Sequence, residues 1–431
     1  RAAVAKIADL REKMKTYHAD ALFLSAPADI MWLYNLRGND VRYNPVALSY
    51  SYITQKEAVL FAAPHAVDEA VAKYLLQQGI TLKPYEAVRQ FLQQRPNYTV
   101  IRLLLDKSAV SVSLYEAACT CHTVVNVPNH ELIPKAIKNM TETELCRKYH
   151  LSDAVAVTKF IYRLKNQTDI ESMSERTAAE LLEEFRRAQD GYVDPSFETI
   201  TAYGSNAAMI HYTADEASDT QLKREGMLLV DSGGQYVGAT TDITRTIVLG
   251  PVSEEQKRQY TAVVCGMLRL ADVQFLHGCT GRNLDILARE ALWKLGLDYR
   301  HGTGHGVGSF LSVHEGPQAF RWMLSETMPE TVLEPGMVIT DEPGIYIEGS
   351  HGIRIENELL CVEKRSNEWG TYLGFEILTY VPIDLEAIVP ECMSDEERNL
   401  LNAYHEKVYD TLCPHLDEDE REWLREQTRS I

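Results

Sequence analysis

Apolar positions set the first expectations. Ile7, Leu10 and Met14 recur three and four residues apart, which predicts that the chain opens in a helix with one buried face. The unbroken runs Ala21-Leu22-Phe23-Leu24 and Ala58-Val59-Leu60-Phe61 read as buried strands, and a helical stretch follows near Ala66 to Gln77. This alternation predicts a compact α/β unit around a central sheet over residues 1–136. The sequence Asn126-Val127-Pro128-Asn129-His130, with Pro134 after it, interrupts any regular element and places a domain boundary there.

Residues 137–431 follow a different order. Thr141-x-x-Glu144 has the pattern of a capping box and predicts a long helix to about Lys165; a second helix, carrying Leu181, Leu182 and Phe185, runs from about Asp169 to Arg187. Strand patterns fill Ser196 to Leu249, helical patterns Cys265 to His277 and Leu284 to Leu295, and glycine-punctuated strands Met337 to Val362. Blocks of helices, strands, helices and strands predict an α+β fold with an antiparallel sheet, not a doubly wound one.

Composition narrows the partners. Against 43 Lys and Arg stand 62 Asp and Glu, a net charge of −19 that repels phosphate backbones and anionic lipid, so neither nucleic acid nor membrane is an expected partner. No apolar run approaches the length of a spanning helix, and the expected location is the cytoplasm. The eight cysteines, apart from Cys119 and Cys121, lie far from one another without a recurring metal-ligand spacing; they read as reduced thiols, those two as buried. Sequons at Asn97, Asn139 and Asn166 carry no weight outside a secreted protein. The chain begins at Arg1, already inside the first helical pattern, so an upstream segment is expected.

The chemistry concentrates at strand ends. In Met227-Leu228-Leu229-Val230-Asp231-Ser232-Gly233-Gly234 an apolar strand finishes on a carboxylate and two glycines. Eleven residues on, Thr241-Asp242-Ile243-Thr244 carries a second acid on a β-branched strand, as expected if two strands of a hairpin hold both carboxylates on one face. Glu342, after Ile339-Thr340-Asp341, and Glu356, after Ile353-Arg354-Ile355, repeat the arrangement. Like charges held close repel unless a cation joins them. His305 lies in Gly302-Thr303-Gly304-His305-Gly306, where alternate glycines let the backbone approach another group. Together these acids and this histidine read as metal ligands. A phosphate-cradling loop, a G-x-S-x-G elbow and an H-E-x-x-H helix are all absent from the sequence.

The string from His301 to Pro317, Val230-Asp231-Ser232-Gly233 with Thr241-Asp242, and Asp341-Glu342-Pro343-Gly344 with Ile355-Glu356-Asn357 resemble the pita-bread metallopeptidases. Within that superfamily the chain is most similar to the eukaryotic-type, manganese-dependent Xaa-Pro aminopeptidases, including Asn35 to Val41, Asn44-Pro45 and a carboxy-terminal extension from about residue 370. The resemblance implies a pita-bread catalytic domain preceded by a smaller α/β, creatinase N-terminal-like domain, with the family's first N-terminal domain missing.

It also implies roles. Asp231 would bind one divalent ion, Asp242 and Glu356 would bridge two, and His305 and Glu342 would complete the second site. An oxygen-rich set with one imidazole suits Mn²⁺, with Zn²⁺ or Co²⁺ as alternatives. Glu342 would also accept the proton of the attacking water, and His314 would donate to the developing oxyanion. His211, His301 and His314 would line the substrate cleft. The implied reaction is hydroxide attack that releases the first residue of peptides with proline second, carried out by a homodimer. An Xaa-Pro dipeptidase and a non-catalytic peptide-binding module are the alternatives. Thr244 is expected to bond Asp242, Arg354 to orient substrate or form a salt bridge, and Asp341 to sit in a turn facing away. Arg37 and Asn44 are expected to reach a cleft or stabilise their own loop.

Overall fold

The apolar runs of the first part of the chain become strands of one sheet. In a computed structural model, which describes residues 1–94, 101–323 and 330–431, the chain divides into the units Arg1–Lys135 and Ala136–Ile431. The sequon at Asn97 lies outside the described residues. In the first unit six strands run in the order Ile80–Pro84, Ala58–Ala62, Ser49–Thr54, Ala21–Leu24, Ile101–Leu105, His122–Asn126. Ala21–Leu24 pairs antiparallel on one side and parallel on the other. All four of its residues are buried, which accounts for its unbroken apolar sequence. The helix Ala3–Thr16 buries Ile7, Leu10 and Met14, as their spacing requires.

Local capping moved several boundaries. The helix expected from Ala66 starts at Glu69, because the Asp68 side chain accepts the Val71 N–H. The expectation that Cys119 and Cys121 are buried is corrected: Cys119 is exposed and Cys121 half-buried. The helix Val112–Cys119 buries Leu114, Ala117 and Ala118, which turns its last residue outward. All eight thiols are free.

In the second unit the long helix runs Met140–Asn166, and its capping box is formed by Asn139 and Glu142 rather than Thr141 and Glu144. The next helix spans Glu175–Arg187 from a Ser174 cap, after a short 3₁₀ turn at Ile170–Ser172. The helix expected from Cys265 starts earlier, at Glu254, with Ser253 and Gln256 as its box, and ends at Asp272 before His277. Its early polar turn hid the start, because Glu254, Glu255 and Lys257 carry no apolar periodicity.

Two antiparallel sheets frame the centre of this unit. One has Ile200–Tyr203, Met227–Ser232 and Ile243–Val248; the other has Val338–Asp341, Asn357–Asn367, Gly370–Ile377 and Phe275–Leu276. Phe160, Leu182, Leu228, Ile247, Val263, Met267, Ile353, Val381 and Leu401 belong to one buried cluster that joins the helices to the strands. Truncating a residue such as Phe160 to Ala would cost about 3–5 kcal/mol.

Candidate metal centre

Strand register brings the acids together. In the first sheet Thr244 lies opposite Asp231. Asp242 is two positions before Thr244 and so shares its face, which is also the face of Asp231. The chain between them is not a plain hairpin; it makes an excursion in which Gly234–Tyr236 pairs with Ala239–Thr240. A Cβ on Gly233 would stand 1.8 Å from the Thr241 carbonyl oxygen, so the crossing demands glycine. In the second sheet Asp341 pairs with Asn357, which leaves Glu342 and Glu356 as the next positions along the two chains. The short strand Gly304–His305 pairs with Ala319–Phe320. Gly304 passes so close to the strand Val338–Asp341 that its Cβ would meet the Thr340 oxygen at 1.8 Å.

Asp242, His305 and Glu356 each present a ligand atom, all within 4.8 Å of one another. Nε2 of His305 lies 3.4 Å from Asp242 Oδ2 and 3.7 Å from Glu342 Oε1. Its Nδ1 lies 2.9 Å from the Gly306 carbonyl oxygen, which only accepts, so Nδ1 carries a proton and the Nε2 lone pair is the one the ring would offer a cation. Asp231 Oδ2 accepts a 2.5 Å bond from Arg354, whereas its buried Oδ1 has no hydrogen-bond partner. Burial, reinforced by Asp231 and Glu342, pushes the Asp242 carboxyl well above its usual range. Burial also pushes Glu356 far up, with Asp242 adding, and raises Glu342. Divalent cations would satisfy the orphaned oxygen, the lone pair and the crowded carboxylates together, so the residues fit such ions. Thr244 Oγ1 donates to Glu356 Oε2 at 2.7 Å, and so steadies that acid instead of Asp242.

The four acids and His305 line a cavity of about 540 Å³ shared with His211, His301 and His314 and with Phe197, Ile200, Ile210, Thr213, Arg321 and Arg354. His314 packs its ring 4.3 Å from that of His305; burial and the neighbouring imidazole lower its pKa to about 4. His301 is likewise lowered to about 4, chiefly by burial. Its Nδ1 donates to the Gly302 carbonyl at 2.7 Å, so its Nε2 accepts from the Tyr346 hydroxyl at 2.9 Å. His211 sits exposed in a turn after the 3₁₀ segment Gly204–Ala208, not on a strand.

Several residues differ from expectation or were missed. Asp341 is not in a turn: it ends the strand Val338–Asp341 fully buried, both carboxyl oxygens without hydrogen-bond partners, and burial holds its pKa well up. Arg354 does form the salt bridge, to Asp231, while also lining the cavity. Burial opposes its charge, but Tyr346, Asp231 and Glu342 outweigh that and hold its pKa well above the usual value. Tyr346, which accepts from Arg354 at 2.8 Å, escaped notice. The ribbon Gly344–Ile347 with His351–Arg354 pairs Gly344 with Arg354, and two-residue alternation would have put Tyr346 on that face. Also missed was the buried pair His150 and Glu358, 3.0 Å apart, whose carboxyl adds to the field on Asp242. Arg37 bonds the Leu36 carbonyl at 2.7 Å, within its own loop.

The paired strands, the carboxylate ring and the single imidazole are those of a metallopeptidase, and the chain belongs to metallopeptidase family M24, which matches residues 130–363. The Creatinase/Prolidase N-terminal domain matches residues 1–142 and the C-terminal region of peptidase M24 matches 371–431; the fold is a creatinase N-terminal domain followed by a pita-bread catalytic domain. Among relatives, Xaa-Pro aminopeptidase 1 of Dictyostelium discoideum is 36% identical over 99% of this chain and 68% of that protein. Probable Xaa-Pro aminopeptidase P of Paracoccidioides brasiliensis is 39% identical over 99% and 71%. Among solved structures, X-prolyl aminopeptidase of Caenorhabditis elegans, described as a cytosolic enzyme with a di-nuclear active site, superposes with a TM-score of 0.92 at 33% identity, covering 100% of this chain and 71% of that one. Xaa-Pro dipeptidase of Bacillus anthracis follows at a TM-score of 0.69 and 27% identity, covering 89% and 99%.

Proposed function

We propose that this chain is a dinuclear Xaa-Pro aminopeptidase, which hydrolyses the bond after the first residue of peptides whose second residue is proline. The observation that carries it is the donor cluster of Asp242, His305 and Glu356 within 4.8 Å, in a chain 36% and 39% identical to proteins named for that activity. Asp242 and Glu356, the most buried of the four acids, would be shared by the two ions; Asp231 would complete one site, and His305 with Glu342 the other. The hard oxygen donors favour Mn²⁺, with Zn²⁺ and Co²⁺ as competitors. Two divalent ions in such a site polarise the scissile carbonyl and lower the pKa of water toward about 7.

The chain's own groups do the rest. Glu342 receives the proton of the attacking water. His314, a neutral imidazole at the cluster, donates to the carbonyl oxygen as it gains charge. An Xaa-Pro bond has no N–H to recognise, so selectivity falls to packing of the ring. His211 and His301, with Phe197, Ile200 and Ile210 around the same cavity, supply that surface. The cytosol is the location in keeping with the worm enzyme's description, and a homodimer is the expected assembly, which sedimentation velocity reads directly as twice the chain mass.

With Mn²⁺ added, the protein is expected to release the first residue from an Xaa-Pro-Xaa tripeptide and to leave the Xaa-Ala-Xaa counterpart largely intact. Elemental analysis of the same sample should find two ions per chain. Cleavage of Xaa-Pro dipeptides with tripeptides untouched would replace this reading with a dipeptidase, and bound metal without turnover would replace it with a binding module.

A further inference from the structure

Arg245 lies next to Thr244 in the strand Ile243–Val248 and is 2% exposed. Among the described residues it forms no ion pair, and every hydrogen-bond partner it has is a neutral oxygen. One terminal nitrogen donates to the backbone carbonyls of Thr244, at 2.9 Å, and Glu356, at 2.6 Å. The other donates to Asn357 Oδ1, the Val381 carbonyl and the Tyr404 hydroxyl, each at 2.8 Å, and Nε to the Pro382 carbonyl at 3.2 Å. The same two residues are tied again, because the Glu356 N–H donates to the Thr244 carbonyl at 3.1 Å and the Thr244 hydroxyl to the Glu356 carboxyl. The guanidinium thus clamps the crossing at which both strands deliver their acids.

A buried cation without an anion in contact is costly, so its retention needs compensation. Here six neutral oxygens from separate segments of chain surround the guanidinium, so its cost is offset by a complete set of hydrogen bonds that also fixes the backbone of Glu356. Three of the six acceptors belong to chain beyond the ligand-bearing strands: Val381, Pro382 and Tyr404 lie in the separately matched region 371–431. Tyr404 stands on the helix Asp395–Leu412, and its hydroxyl is fixed in turn by the Val381 carbonyl at 2.7 Å.

We propose that Arg245 is a positioning residue for Glu356, and that the carboxy-terminal region serves the metal centre by holding that guanidinium through Tyr404 and the carbonyls of Val381 and Pro382. The proposal rests on the assignment of Glu356 as a metal ligand. Its test is Mn²⁺ binding to metal-free protein, followed by the electron paramagnetic resonance of free Mn²⁺, in wild type, Tyr404→Phe, Arg245→Lys and the control Tyr409→Phe. Tyr404→Phe removes one oxygen and keeps the ring. It should retain the native circular dichroism, bind Mn²⁺ about tenfold or more weakly, and lose kcat with KM unchanged. Arg245→Lys keeps the charge but loses the fork and should weaken binding further, whereas Tyr409→Phe on the same helix should match wild type. Folded Tyr404→Phe and Arg245→Lys with wild-type Mn²⁺ affinity would overturn the proposal alone. Absence of Mn²⁺ binding by wild type would overturn it together with the metal-centre assignment.

Discussion

At Asp242 two requirements oppose each other: the residue is 5% exposed, yet it stands among other acids that burial has also taken out of water. Such a group is kept by something that binds it. Replacing Asp242 or Glu356 with Ala removes one of the clustered donors, so on the proposed assignment elemental analysis should find fewer than two ions per chain and turnover should fall to background. His314→Ala should leave the metal content intact and lower kcat by about 10²–10³-fold, the usual effect of deleting one donor to an oxyanion. These residues were legible in the sequence because the acids sit against apolar or β-branched strand segments, and Asp231 ends its run beside a glycine pair, a wasteful way to finish a merely structural strand. The pair of His150 with Glu358 was not, since it forms only when chain segments far apart are packed together.

Among the elements, the strands carried their own evidence and the helices hid theirs. Periodicity marked where each helix buries its face, but the starts were set by Asn139, Ser174 and Ser253, whose side chains satisfy the first free N–H groups. Tertiary anchoring was equally invisible. Asp153 of the long helix receives Arg186 from the next helix, the Tyr236 hydroxyl and the Thr241 hydroxyl, and so bolts two helices to the turn that carries Asp242. The helix Asp395–Leu412 contributes His405, whose Nε2 accepts the Ile383 N–H at 3.1 Å while burial lowers its pKa to about 3. The folded chain therefore resists a proton that the unfolded chain accepts below about 6.5, and stability is lost as pH falls from there toward about 3. At pH 5 the loss from this group is roughly 2 kcal/mol. His405→Gln keeps an acceptor for Ile383 without the titration, so urea midpoints at pH 7 and pH 5 should lie closer together in the variant than in wild type.

For the whole molecule, the order of helix and strand blocks sufficed to read an α+β catalytic unit behind an α/β one. The antiparallel pairing observed throughout the second unit's described strands agrees with that order. Its −19 charge bears on association rather than fold. Metal bound only by the folded second unit should raise that unit's melting temperature, by mass action worth about 2.7 kcal/mol at a hundredfold excess over Kd. Calorimetry with and without Mn²⁺ should show one transition move while the transition of the first unit stays in place.

The carboxylates come in two sets, Asp231 with Asp242 and Glu342 with Glu356, from strands of different sheets, with the helices Glu254–Asp272, Gly281–Leu284 and Ile286–Lys294 and the His305 ribbon between them in the chain. No short stretch of unfolded polypeptide contains the set, so the centre exists only after that long loop has closed. Ions that meet their full ligand set only in the closed chain are expected to act mainly on unfolding. Stopped-flow measurements should find the refolding rate insensitive to Mn²⁺ and the unfolding rate slowed by it. Equal acceleration of refolding would mean that the two halves meet early. A protein built this way is held by its cofactor as a latch holds a closed door: it does nothing to swing the door shut, and it sets how long the door stays closed.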